Sequence, residues 1–241
     1  MLNKNLLVSF ISGLMLSTLS GCGGGPAAFQ TPDTSSVPKN NGVVALKNFS
    51  ILASDPQPTV IDPTTGVFTQ TSVTMTANIA DRRDITLSDG HTVYFRAEYG
   101  VFDTDHCVTT KGKCSVIWTA SKRPVTGGPG SDLKVTIIAY TTGEESFTDK
   151  NGNFIYDDAD GNTFDDQEEP YVDANENKVY DTGEEIVDTV NGNDLTGKNG
   201  VHDIADGFFN GSGCQHASLC SQTVINNATI WTKNVLKIDG P

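Results

Sequence analysis

Positive charge is scarce in this chain: 241 residues carry 16 Lys and Arg against 30 Asp and Glu, a formal net charge of −14. That balance excludes a nucleic-acid binder that relies on basic contacts to phosphate. Helical apolar periodicity is lacking too, which sets aside a helix bundle or coiled coil. No nucleophile elbow, HExxH pair or Gly-rich phosphate loop is present to signal an enzyme. What the chain does hold is Gly (24) and Pro (10), with many Thr and Asn, and 37% hydrophobic residues. This composition leans towards strands and turns around one core. The acid is concentrated: residues 144–206 contain 19 Asp and Glu and 3 Lys, while the remainder is close to neutral.

Met1 to Leu19 has a short start carrying Lys4 and an apolar stretch (Leu6-Leu7-Val8 to Leu14-Met15-Leu16) too short to span a membrane, which reads as an export signal. It ends in Leu19-Ser20-Gly21-Cys22, which resembles the bacterial lipobox. The resemblance implies a signal peptide over 1–21 and lipidation of Cys22. Gly23 rather than Asp after the Cys implies transport to the outer membrane, facing periplasm or medium. An ordinary secretory signal is the alternative. Attached acyl chains would anchor the protein at ~0.8 kcal/mol per buried methylene. Residues 22–42 are rich in Gly, Pro, Ser, Thr and Asn and read as a flexible tether of ~25 Å root-mean-square span. The folded part is expected over 43–241.

Four cysteines remain, Cys107, Cys114, Cys214 and Cys220, and an exported chain permits disulfides. The short spacings favour 107–114 and 214–220, each stabilising by about 2–3 kcal/mol in the chain-entropy model. Zinc is the alternative, because His106 and His216 lie beside them, but the gaps are wider than zinc ligands usually show. Both histidines read as solvated loop residues.

From 71 to 141 the apolar period is two. Val73, Met75, Ala77 and Ile79 share one face, as do Val93, Phe95, Ala97 and Tyr99, then Cys114, Val116 and Trp118, then Leu133, Val135, Ile137 and Ala139. Turns at Ser88-Asp89-Gly90, Lys111-Gly112-Lys113 and Gly127-Gly128-Pro129-Gly130 separate them. Val43–Leu52 and Val224–Ile238 supply the first and last strands. About seven short strands predict an all-β, immunoglobulin-like sandwich. Thr92-Val93-Tyr94-Phe95 with Tyr99-Gly100, Cys114-Ser115-Val116-Ile117-Trp118-Thr119, and Val135 to Glu145 resemble bacterial Ig-like domains of the invasin/intimin type, over roughly 57–145 and 221–238. The resemblance implies a spacer or adhesive module without catalytic residues.

Residues 144–220 form an acidic insertion before the last strand, with no clear helix or strand of their own. So long a loop needs something to order it. Asp149, Asn151, Asn153, Ile155, Asp157 and Asp160 stand at positions 1, 3, 5, 7, 9 and 12 of a twelve-residue loop. Asp173, Asn175, Asn177, Val179, Asp181 and Glu184 repeat the pattern 24 residues later. This is the oxygen-donor spacing of an EF-hand-type calcium loop, where position 7 gives a main-chain carbonyl. A third, incomplete copy has Asn199, Asp203 and Asp206 at positions 5, 9 and 12, with Asn191, Asn193 and Asp194 as substitutes for its displaced first half. Phe154 and Lys178 replace the usual Gly at position 6, and no apolar helix flanks either loop. The segment therefore resembles the helix-poor, calcium-wrapped repeats of thrombospondin type 3. A disordered acidic loop is the bland alternative.

Asp105-His106 could be arranged with a Ser into a hydrolase triad, and open calcium sites could assist hydrolysis, but structural ligation is the simpler use of the carboxylates. The expected protein is a non-enzymatic, lipid-anchored envelope protein holding Ca2+, with an adhesive or structural role. Alternatives are a docking subunit with a protein or filament partner and a calcium-dependent glycan binder.

Overall fold

The computed structural model describes residues 42–189, 198–222 and 228–239. The proposed signal peptide, Cys22 and almost all of the tether lie outside these residues. The described strands are β1 (Val44–Ala45), β2 (Phe49–Ala53), β3 (Ser72–Ile79), β4 (Thr92–Ala97), β5 (Val101–Phe102), β6 (His106–Val108), β7 (Lys113–Thr119), β8 (Lys134–Glu144), β9 (Ser146–Phe147), β10 (Phe164–Asp165) and β11 (Ala228–Lys237). No α-helix occurs among the described residues.

Two sheets face each other. One runs β2-β3-β7-β5. The other runs β11-β8-β4-β6, with β1 parallel to the end of β8 at Val44–Gly143. With β2, β3, β7 and β5 as strands A, B, E and D, and β11, β8 and β4 as G, F and C, this is an immunoglobulin-like sandwich. Alternation explains its core. Val73, Met75, Ala77 and Ile79 of β3, Val93 and Phe95 of β4, Val116 and Trp118 of β7, and Val135, Ile137 and Ala139 of β8 are all buried between the sheets. The buried Trp118 indole donates to Tyr99 O at 2.7 Å. Gly100 sits at φ +85°, and any Cβ there would run into the Trp118 ring.

Three expectations shift. Val43–Leu52 is not one strand: a 3₁₀ turn over Leu46–Asn48 divides it, so that β1 joins one sheet and β2 the other. Leu133 does not share the inner face of β8, because the tight turn closed by its N–H to Gly130 O leaves it at φ 64° and exposed. The insertion is not wholly strandless, since β9 and β10 pair through Phe164–Phe147.

β8 is buried on both faces, unlike a simple alternating strand. The insertion causes this: outward-facing Ile138 packs with Tyr171, Val172, Val187 and Trp231. Gln167 also closes the free edge of β11, its amide bonding Trp231 O and Trp231 N at 2.9 Å each. The two disulfides form as the spacings favour, Cys107–Cys114 and Cys214–Cys220, which removes the zinc alternative. The first staples β6 of one sheet to β7 of the other. His106 is exposed as expected. His216 is not: it is buried, stacked on Tyr156 at 5.1 Å, because its Nδ1 accepts the Ser218 and Leu219 amides.

Glu98, at the open end of β4, gives the sandwich a pH dependence. Burial first, and then repulsion from Glu176, push its carboxyl from 4.5 up to about 7. Asp132 adds to the repulsion, Gly130 N–H opposes it, and Lys134 is taken up by Glu176 at 2.6 Å and Asp132 at 3.3 Å. The folded state therefore holds this proton more tightly than the unfolded chain, so this group's contribution is full below about pH 4.5 and is lost as pH rises to about 7. Glu98→Gln should gain on the wild type over that window in urea unfolding. Parallel stability curves for the two proteins would contradict this.

Candidate metal centre

In the first loop the oxygens hold the backbone in a closed pattern. Asp149 accepts the Gly152 amide at 2.8 Å and the Phe154 amide at 2.9 Å, and Asn153 Oδ1 accepts the Ile155 amide at 2.7 Å. Asp160 accepts the Lys150 amide at 2.8 Å and the Asp157 amide at 3.0 Å. Asn151 Oδ1 accepts the Asn153 amide at 3.0 Å, and the Asn153 amide group donates to Asp157 at 2.8 Å. In short, position 1 holds position 6, position 5 holds position 7, and position 12 holds positions 2 and 9.

The second loop repeats this wiring. Asp173 accepts the Asn177 amide at 3.0 Å and the Lys178 amide at 2.9 Å, and Asn177 Oδ1 accepts the Val179 amide at 2.7 Å. Glu184 accepts the Ala174 and Asp181 amides, each at 2.9 Å. The Asn175 and Asn177 amide groups both donate to Asp181. Position 6 is left-handed without glycine, at φ 60° for Phe154 and 67° for Lys178. Such a conformation costs about 1–2 kcal/mol for a side-chain-bearing residue, so the hydrogen bonds from these amides to Asp149 and Asp173 are holding it.

The third copy departs from the linear reading. Asn199 Oδ1 accepts the Val201 amide at 2.7 Å and its amide group donates to Asp203 at 3.0 Å, as positions 5, 7 and 9 require. Position 1 is Asp188, whose Oδ2 accepts the Gly200 amide at 2.7 Å. Position 12 is Glu169, which accepts the Thr189 amide at 2.7 Å and the Asp203 amide at 3.1 Å. Asp206 does not take that place; its carboxylate accepts the Phe208 amide instead. Asn191, Asn193 and Asp194 lie outside the described residues. Sequence reasoning missed Glu169 and Asp188 because both precede the copy they serve. The available signal was Glu169 four residues before Asp173, paired with Glu145 four before Asp149, at the same 24-residue interval.

The position-8 rings bind the loops into the fold. Tyr180 of the second loop stacks on His202 of the third at 4.2 Å, and Tyr171 packs against both and against Trp231. Tyr156 of the first loop is fully buried among Phe147, Phe164, Phe209 and His216. Basic side chains reach in from the sandwich. Lys233 of β11 bonds Asp173 Oδ2 at 2.7 Å, and Arg82 donates to Phe154 O at 2.9 Å.

Among the described residues, no group of three or more His, Cys, Asp or Glu side chains converges tightly enough to chelate a metal by itself. The donor sets are mixed instead, Asn amides and main-chain carbonyls with carboxylates, which is hard-oxygen chemistry suited to calcium. Each of the three sets carries three carboxylates. Burial raises the Glu169 carboxyl above its usual range, with Asp203 and Asp188 adding repulsion, and Asp188 Oδ1 is buried without a hydrogen-bond partner. A cation fits that environment.

Asp105 and His106 do form a pair, Oδ1 to Nδ1 at 2.7 Å, but both are exposed where a bend enters β6. That hydrogen bond holds the Asp105 carboxyl below its usual range.

No protein-family model matches the chain, and no curated protein matches it. Among solved structures, the D00-D0 domain of Intimin aligns with 18% identity and a TM-score of 0.30, over 43% of this chain and 45% of that one. The chain thus spans less than half of that structure, and a likeness so slight carries no functional argument.

Proposed function

We propose that this is a lipid-anchored protein of the bacterial envelope whose sandwich carries a calcium-ordered insertion and serves a non-enzymatic, adhesive or structural role. The observation that carries the calcium reading is the wiring shared by three sets of oxygens, two contiguous and one assembled from separate segments. Solvation alone requires no such repeat. The lipobox-like Leu19-Ser20-Gly21-Cys22 supports the anchor. Exposed Phe154, Val179, Val201, Ile204 and Phe208 on the insertion favour a second reading, docking onto an envelope protein.

Extracellular calcium modules bind at about 10⁻⁴–10⁻³ M. Adding calcium in that range to chelator-treated protein should raise hydrogen-exchange protection over 149–160, 173–184 and 199–203, with β3, β7 and β8 protected throughout. Equal protection of the loops with and without the ion would remove the calcium reading. Pull-down from native envelope with and without chelator separates the roles: one stoichiometric protein partner indicates docking, and carbohydrate indicates glycan binding.

A further inference from the structure

A fourth set of oxygens in the insertion has the same wiring, split over three segments. Asp166 Oδ2 accepts the Gly207 amide at 2.8 Å, and Gly207 is left-handed at φ 80°, as position 6 requires. Asp206 Oδ1 accepts the Phe208 amide at 2.8 Å, the link from position 5 to position 7. Glu145 accepts the amide of Gln167, the residue after Asp166, at 2.9 Å, and the amide of Asn210 at 2.8 Å. These are the two bonds that position 12 makes to positions 2 and 9 in the other sets. Asp166, Asp206, Phe208 O, Asn210 and Glu145 thus stand at positions 1, 5, 7, 9 and 12.

The one exchange within the set conserves its charge. The other three sets have Asn at position 5 and Asp at position 9; here Asp206 takes position 5 and Asn210 position 9. Three carboxylates therefore remain, and the amide donates in the opposite direction, from Asn210 Nδ2 to both Asp206 oxygens at 3.3 Å.

Hydrogen bonds alone do not require an ion, but two further observations do point to one. Asn210, whose backbone amide meets Glu145 and whose Nδ2 meets Asp206, is 4% exposed, and its Oδ1 is buried with no hydrogen-bond partner. Asp166 Oδ1 is likewise buried without one. Glu145, 3% exposed, pairs with no basic side chain among the described residues, whereas its neighbour Glu144 is paired with Arg82. Uncompensated acidic oxygens of this kind are costly unless a cation meets them.

We propose that Glu145, Asp166, Asp206, Asn210 and the Phe208 carbonyl bind a calcium ion of their own, clamping the end of β8 to residues 206–210. The assignment rests on the reading of the other sets as calcium sites. It makes the insertion two nested pairs, each of one contiguous and one split set. Phe209 on Tyr156 at 4.9 Å joins the first pair as His202 on Tyr180 joins the second.

The test uses the full chain, calcium as the only added ion, and the double variant Glu145→Gln/Asp166→Asn. In the wild type, calcium should protect 204–212 from hydrogen exchange. In the double variant that response should be lost and one ion fewer bound per chain at saturation, while 149–160 still responds. The single variant Asn210→Asp, which supplies the position-9 Asp of the other sets, should shift the 204–212 response to lower calcium. A response at 149–160 without one at 204–212 in the wild type overturns this site alone, as does an unchanged ion count in the double variant. No response in either segment overturns both readings.

Discussion

Replacing Arg82 by Met is expected to lower stability by about 3–5 kcal/mol, the cost of leaving one partner of a buried ion pair without the other. Arg82 follows β3, and its guanidinium pairs with both oxygens of Glu144 at the end of β8. Both side chains are almost wholly buried. The same guanidinium donates to Phe154 O, at position 6 of the first loop, and to Ser212 O and Oγ at 2.8 and 2.9 Å. It therefore joins the sandwich, the first loop and the end of the insertion at once. Met fills similar volume but supplies no donor, so Glu144 would keep its charge and its Ser212 bonds but lose its guanidinium. Adding Glu144→Gln to Arg82→Met should recover part of the loss, since it removes the stranded charge and keeps an acceptor for Ser212. Urea unfolding of the three proteins checks this. A loss below about 1 kcal/mol for Arg82→Met would mean that water reaches Glu144, and the pair would then count as a surface bridge.

The sandwich was legible because its strands are half-buried and alternate: Val73, Met75, Ala77 and Ile79 announce both strand and face. Legibility failed where a second layer covers the sheet. Ile138 alternates with inner-face Ile137 and Ala139 and so falls on the outward side, yet it is buried with Tyr171, Val187 and Trp231, which no local period reveals. The contiguous loops were legible because their ligands lie within twelve residues, so spacing encodes geometry. The split sets were not. Glu169 and Asp203 are 34 residues apart in sequence and joined by two hydrogen bonds, the Asp203 amide to the Glu169 carboxylate and the Glu169 amide to Asp203 O, and only the tertiary fold brings them together. Asp206 shows the consequence: a carboxylate three residues after Asp203 fits a linear count, while the backbone turns at left-handed Gly207 and presents it elsewhere. His216 read as a solvated loop residue because the aromatic cluster that buries it comes from distant segments, among them Tyr156.

Asp149→Ala and Asp173→Ala should each weaken calcium binding at their loop by more than the ~10–100-fold that loss of an outer-shell partner costs, because position 1 is a direct anionic donor. Each carboxylate also holds the left-handed turn, through the amide of Phe154 in one loop and of Lys178 in the other. Without it, the strained residue relaxes and the remaining carboxylates repel one another with no counter-ion. The loops should then be cut by protease even in calcium. The two variants should differ when the ion is absent. Asp173 is fully buried and paired with Lys233 of β11, so its loss strands that ammonium and loosens the insertion from the sandwich, whereas among the described residues no such pair anchors Asp149. Asp105→Ala should do neither, because Asp105 faces solvent beside His106 and touches no loop donor. Limited proteolysis across a calcium titration on the three variants tests the ranking. If the two loop variants keep wild-type calcium affinity while Asp105→Ala abolishes an activity found by substrate screening, both the calcium assignment and the non-enzymatic reading fall together.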